Sequence, residues 1–94
     1  MDLSALTAVT SVDGRYGSKT KPLRPICSEY GLIRYRTVVE VRWLQALAAH
    51  PGFTALPALD EAENEFLEKL LAGFGPPEAQ RIKEIEAVTN HDVK

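Results

Sequence analysis

The chain has 94 residues, and 11 Lys and Arg against 13 Asp and Glu leave a formal net charge of −2. Hydrophobic residues make up 45% and charged residues 26%, which excludes a chain disordered by composition, and the length leaves no room for two ordinary domains. A single cysteine excludes an internal disulfide. The slight acidic excess gives no overall positive charge that would favour nucleic-acid binding.

No apolar run approaches a membrane span, because the longest covers about four residues, such as 46–49, against roughly 20 for a spanning helix. The chain starts Met1-Asp2-Leu3 and its first basic residue is Arg15, so no secretory signal is predicted. We therefore expect no membrane partner and a cytoplasmic location.

Residues 1–27 lack a sustained helical or strand period. They contain the turn and breaker signals Asp13-Gly14, Gly17, Pro22 and Pro25. The sequence therefore predicts a mostly irregular loop over 1–27.

A long helix is predicted over 28–50, with Ser28 as its N-cap and Pro51-Gly52 after its end. Its main apolar stripe, at steps of three and four, comprises Leu32, Tyr35, Val39, Trp43 and Ala46. Further apolar residues lie outside that stripe: Ile33, Val38, Val41 and Leu44. A helix apolar on nearly all sides is buried on more than one side, so we expect partners from later parts of the same polypeptide or from other subunits.

Two shorter helices follow, over 60–74 and 77–89. The first has Asp60 as N-cap, and its apolar face comprises Phe66, Leu67, Leu70, Leu71 and Phe74. Pro76-Pro77 opens the second, which Ile82 and Ile85 line. Residues 89–94 look like the start of a further helix, so the predicted fold class is all-α: about three helices after an irregular N-terminal loop.

Two segments carry candidate chemistry. In the first, 11–17, Asp13-Gly14 predicts a turn, and Arg15 and Tyr16 supply a guanidinium and a phenol. Lys19, Lys21 and Arg24 follow without an intervening acid. This segment is either an anion-binding loop or a solvated surface turn.

The second segment is Thr89-Asn90-His91-Asp92, which combines donor, titratable and acceptor groups. It is either part of a binding site or a capping segment with an incidental histidine. No spacing supports a metal site built from Cys27, His50, His91 and Asp92, and Cys27 is expected to be a buried small apolar residue.

Three segments in this order resemble the N-terminal domain of bacterial adenylosuccinate lyases, over essentially the whole chain. They are Ser11-Val12-Asp13-Gly14-Arg15-Tyr16, the helix from Ser28-Glu29-Tyr30-Gly31-Leu32 to Trp43-Leu44, and the terminal segment from Ile82-Lys83 through Thr89-Asn90-His91-Asp92-Val93-Lys94. Ser11 stands where the family usually has proline.

The resemblance implies a fumarase/aspartase-type lyase: a helical homotetramer that eliminates fumarate from two nucleotides of purine biosynthesis without metal or organic cofactor. It implies that 1–94 is a truncated N-terminal domain whose segment 1–27 contacts substrate. The implied substrate-binding residues are Arg15, Tyr16, Asn90, His91 and Asp92, with His91 assisting catalysis.

The family's general base, a serine, and its general acid, a histidine, lie beyond position 94. The resemblance therefore implies that the chain alone is inactive, and its exposed apolar faces predict self-association. The alternative is a non-catalytic helical interaction module derived from this domain.

Overall fold

A computed structural model describes residues 1–90 of the chain. Three long helices dominate this part, and no β-strand occurs among the described residues, so the predicted all-α class is confirmed. The chain divides into two compact units, Met1–Leu32 and Ile33–Lys94, and each is described by itself below.

The first unit contains short helical turns where the sequence predicted a loop. Helix α1 covers Gly17–Thr20, a 3₁₀ turn covers Lys21–Leu23 and helix α2 covers Arg24–Cys27. Proline is the second residue of both elements, Pro22 in the 3₁₀ turn and Pro25 in α2. Proline has a helix-compatible φ and needs no N–H partner there, so both prolines start short helices rather than excluding them.

Helix α3 covers Glu29–Ala49, one residue shorter at each end than predicted. Ser28 caps it, as expected, because its Oγ accepts the Gly31 N–H at 3.1 Å. Beyond the helix, the Gly52 N–H donates to His50 Nδ1 at 3.0 Å. The local start and stop signals of this helix were therefore interpreted correctly.

The buried face of α3 is not its main apolar stripe. The buried apolar side chains among the described residues all lie in the second unit: Ile33, Val41 and Ala48 on α3, and Ala79 further along the chain. The predicted stripe is solvent-exposed instead, with Leu32, Tyr35, Val39 and Trp43 each between 44% and 64% exposed. Both faces are apolar, so periodicity could not rank them. The sequence predicted burial on more than one side, and within residues 1–90 only one side of α3 is buried.

Helix α4 covers Glu61–Ala72 and helix α5 covers Pro76–Thr89. Asp60 caps α4 as predicted, since its Oδ1 accepts the Glu63 N–H at 2.7 Å and Glu63 accepts the Asp60 N–H in return. The side chain of Glu78 accepts the Gly75 N–H at 3.0 Å before α5.

Residue 89 was expected to open a new helix, but Thr89 is the last residue of α5. Asn90 follows as its C-cap, with a left-handed φ of 54° and its N–H donating to the Glu86 carbonyl at 2.7 Å. Asparagine tolerates this conformation better than most residues, which suits it to the end of a helix. The rest of the predicted element, 91–94, lies outside the described residues.

Polar side chains link α3 to α4. Arg42 donates to both carboxylate oxygens of Glu68, with Nη2 to Oε2 at 3.2 Å. Gln45 Nε2 donates to Glu68 Oε1 at 3.3 Å and to Asn64 Oδ1 at 3.4 Å. The hydrogen bond from Arg42 lowers the pKa of the Glu68 carboxyl, so the stabilisation it contributes is present at neutral pH and is lost as pH falls through that lowered pKa.

Two valines on α3 provide a matched test of the buried face. Val41 is 8% exposed and Val39 is 64% exposed, and valine to alanine deletes the same atoms at either position. We expect Val41→Ala to lower the free energy of unfolding by about 1–2 kcal/mol and Val39→Ala to change it by less than about 0.5 kcal/mol. Urea denaturation followed by far-UV circular dichroism measures both, and a larger loss for Val39→Ala would contradict the assignment.

Candidate functional site

The segment that carries Arg15 and Tyr16 is an ordered turn in the first unit. Within it, the Gly14 N–H donates to the Thr10 carbonyl at 3.0 Å and the Tyr16 N–H to the Ser11 carbonyl at 2.9 Å. The Gly17 N–H donates to the Gly14 carbonyl at 3.0 Å and leads into α1. Three backbone amides of this turn, those of Gly14, Tyr16 and Gly17, therefore donate within it.

Glycine is required at position 14 by close packing rather than by a left-handed backbone. A Cβ there would lie 2.6 Å from the Ala5 carbonyl oxygen and 3.1 Å from the Ala8 Cβ. No glycine has a positive φ among residues 1–90. The predicted Asp-Gly turn is therefore packed against residues 5–8 of the same unit.

Arg15 and Tyr16 form a small exposed pair. The Arg15 guanidinium carbon lies 5.4 Å from the centroid of the Tyr16 ring, within the range of a cation–π contact. Arg15 makes no ion pair in the part of the chain that the structure describes, and Tyr16 is 45% exposed. The pair offers a planar fork of donors and an aromatic surface to an anion, but no general base.

Thr20 and Arg24 hold this turn, and sequence reasoning missed both roles. The Thr20 hydroxyl has one proton and three carbonyls in range, of which Val12 is nearest at 3.0 Å. Arg24 Nη2 donates to the Gly17 carbonyl at 3.4 Å and lies 4.0 Å from Asp13 Oδ1. From the sequence, Arg24 was only one of several cations, because residue spacing does not show which loop atoms its side chain contacts.

Asn90, the first residue of the second candidate segment that was assigned to the site, is exposed at the end of α5 in the second unit. Its left-handed backbone marks the point where the helical direction ends. His91 and Asp92 lie outside the described residues. Arg15 and Tyr16 belong to the first unit and Asn90 to the second.

Neither a metal site nor a membrane span is found among residues 1–90. No group of three or more His, Cys, Asp or Glu there could hold a metal ion. Cys27, which was expected to be buried, is exposed on α2. No described helix is both long enough and apolar enough to cross a bilayer.

The chain is similar over its whole length to curated lyases. It is 60% identical over 94 residues to the adenylosuccinate lyase of Vibrio cholerae serotype O1 and 54% identical over 94 residues to that of Escherichia coli K12. It is 47% identical over the same length to the adenylosuccinate lyase of Legionella pneumophila strain Corby. Each alignment covers 100% of this chain and 21% of the relative, so the chain spans about a fifth of the length of these proteins.

No family model matches the chain. Relatives at identities from 39% to 60% are nevertheless named adenylosuccinate lyase. Identity of this size in an alignment over all 94 residues shows that the chain is homologous to one segment of adenylosuccinate lyases.

The Thr20 hydroxyl gives a direct test of how the turn is held. Thr20→Val keeps the side-chain shape and removes the hydrogen bond to the Val12 carbonyl, so we expect amide hydrogen exchange at Gly14 and Gly17 to become about fivefold faster. Thr20→Ser, which retains the hydroxyl, should exchange at nearly the original rate. NMR-detected exchange measures each amide separately.

Thr10→Val is the matched control, because no side-chain hydrogen bond of Thr10 is found within residues 1–90. Equal acceleration by Thr10→Val and Thr20→Val would show that the Thr20 hydroxyl does not hold the turn.

Proposed function

We propose that this chain is the N-terminal, substrate-binding segment of an adenylosuccinate lyase. The observation that carries the proposal is the similarity of all 94 residues to that enzyme at 60% and 54% identity. The exposed Arg15–Tyr16 pair supports it, because a nucleotide with a phosphate and two carboxylates needs donors of this kind. The site motifs also distinguish this function from simple protein binding, which needs no anion-binding turn.

The proposed reaction is a β-elimination that releases fumarate. A base removes a proton from the carbon next to a carboxylate, the electron pair forms the new C=C bond, and the C–N bond breaks. The leaving nitrogen takes a proton from an acid. Adenylosuccinate gives AMP by this route, and the succinyl-aminoimidazole carboxamide ribotide gives the corresponding aminoimidazole carboxamide ribotide.

Arg15 and Tyr16 are proposed to bind the nucleotide. The Arg15 fork would donate charge-assisted hydrogen bonds to an anionic group of the substrate, and the Tyr16 ring would support the guanidinium from one side. Neither group is suited to abstract the proton at neutral pH. Their contribution is therefore binding and orientation.

Asn90, His91 and Asp92 are proposed to bind the substrate in the assembled enzyme. Asn90 supplies an amide, Asp92 an acceptor, and His91 a donor that orients or polarises the substrate. The principal base and acid are expected from later parts of a longer polypeptide. Neither a metal nor an organic cofactor enters this scheme.

Assembly is proposed to cover the exposed apolar face of α3, which comprises Tyr35, Val39, Trp43 and Ala46. Tyr35, Val39 and Trp43 are 44%, 64% and 60% exposed, and contiguous apolar patches on a helix commonly mark an interface. We assign this face to contacts within a homotetramer whose sites are shared between subunits. The location proposed is cytoplasmic and the pathway purine biosynthesis.

A segment exchange tests the proposal. This chain replaces the aligned segment of the Escherichia coli K12 enzyme, and fumarate release from adenylosuccinate is followed by absorbance. We expect the chimera to be active and the 94-residue chain alone to be inactive. In the chimera, Arg15→Gln should lower kcat/KM by about 10- to 100-fold, the size of a lost charged hydrogen bond.

Lys21→Gln is the control, because it removes a cation from the same basic segment and no side-chain contact of Lys21 is found within residues 1–90. It should leave kcat/KM within about twofold of the unmodified chimera. A folded, tetrameric chimera without activity would contradict the proposal, and turnover by the isolated chain would contradict the assignment of base and acid to later residues.

The alternative function is a helical interaction module without catalysis, and the exposed α3 face is the observation that favours it. Both functions predict self-association of the isolated chain through that face. We expect Trp43→Ser to weaken self-association in sedimentation, because it removes the largest exposed apolar side chain. A monomer at all concentrations would contradict self-association, and an inactive chimera with intact self-association would favour the module.

A further inference from the structure

We infer that Arg24 is a positioning residue that engages Asp13 and thereby leaves the Arg15 guanidinium available to the anionic substrate. This inference rests on the proposed function, because it concerns the substrate site of the same turn. Arg24 itself is not assigned to the substrate.

The need for such a residue follows from the charges of the first unit. Asp13 is the only acidic residue between Leu3 and Ser28, and it stands two positions before Arg15. A carboxylate this close along the chain is a natural competitor for a guanidinium that has to bind a substrate anion. A turn that binds an anion must therefore keep Asp13 away from Arg15.

The structure shows Asp13 engaged elsewhere. Its Oδ1 lies 4.0 Å from Arg24 Nη2, whereas Arg15 rests on the Tyr16 ring and has no ion pair within residues 1–90. Arg24 is thus the cation that pairs with the one acidic residue of this segment. The charge that remains at the tip of the turn is that of Arg15.

Arg24 is fixed from both of its ends. Its Nη2 donates to the carbonyl of the buried Gly17 at 3.4 Å, and a Cβ at Gly17 would lie 3.3 Å from the same nitrogen. At the other end, the Arg24 carbonyl accepts the Ser28 hydroxyl, and Ser28 caps α3 through the Gly31 N–H. The side chain that meets Asp13 is therefore tied through Ser28 to the start of a long helix.

The pair is solvent-exposed, since the side chains of Arg24 and Asp13 are 54% and 72% exposed. Exposed pairs of this kind contribute little to stability. The consequence for binding is larger than for folding, because a free Asp13 competes directly with the substrate for Arg15.

A double-mutant cycle in the chimera described above tests the inference. We expect Arg24→Gln to raise KM for adenylosuccinate by about threefold to fivefold, the effect of one exposed charge contact, with a smaller change in kcat. Adding Asp13→Asn should restore KM, because no carboxylate then remains to pair with Arg15. Lys21→Gln serves again as the control for loss of a cation and should leave KM unchanged.

The KM values of the single and double variants distinguish a positioning role of Arg24 from a substrate contact or a structural role. Restoration by Asp13→Asn supports the inference, since a substrate contact by Arg24 or a purely structural role would leave the double variant impaired. An unchanged KM in Arg24→Gln, or no restoration, overturns the inference and leaves the proposed function standing if the unmodified chimera is active.

A readout without catalysis separates the two failures. If the unmodified chimera is inactive, the proposed function fails, and the Arg15 Nε–H resonance of the 94-residue chain is compared among the same variants. A shift in Arg24→Gln that Asp13→Asn reverses supports the engagement of Asp13 by Arg24, and an unmoved resonance overturns it.

Discussion

Helix α3 carries apolar side chains on two opposite faces, and the second unit buries only one of them. Ile33, Val41 and Ala48 form the buried face, while Tyr35, Val39 and Trp43 stand in solvent. The small size of this core limits the stability that the chain can gain from burial, because stabilisation scales with apolar area removed from water. The exposed face of α3 is therefore the surface that the proposed assembly would cover.

Local signals predicted the helices better than their packing. The caps at Ser28 and Asp60 involve residues three positions apart, so the sequence predicted them and the structure contains both. The choice between two apolar faces of α3 depends on distant partners such as Asn64 and Glu68, which hydrogen-bond to Gln45. Periodicity contains no information about those partners, so it could not show which apolar face this chain buries.

In the candidate site, too, the local motif was predictable from the sequence and the contacts between distant residues were not. The motif around Arg15 and Tyr16 predicted either an anion-binding loop or a solvated surface turn, and the structure shows an exposed guanidinium on an aromatic ring. The contacts that hold the turn could not be predicted from the sequence, because they join residues far apart along the chain. Thr20 hydrogen-bonds to Val12, eight residues earlier, and Arg24 to Gly17, seven residues earlier. Such reach depends on the short helical turns over 17–27, which proline-based reasoning took for a loop.

These features together support the proposed substrate-binding role over the alternative of an interaction module. An interaction module needs the exposed face of α3 but has no use for a cation kept free of its nearest acid. The turn around Arg15 has that property, because Arg24 occupies Asp13 while Arg15 remains unpaired among the described residues. The proposed substrate-binding role would account for both the free guanidinium and the uncovered helix face in a chain that spans about a fifth of the length of homologous lyases.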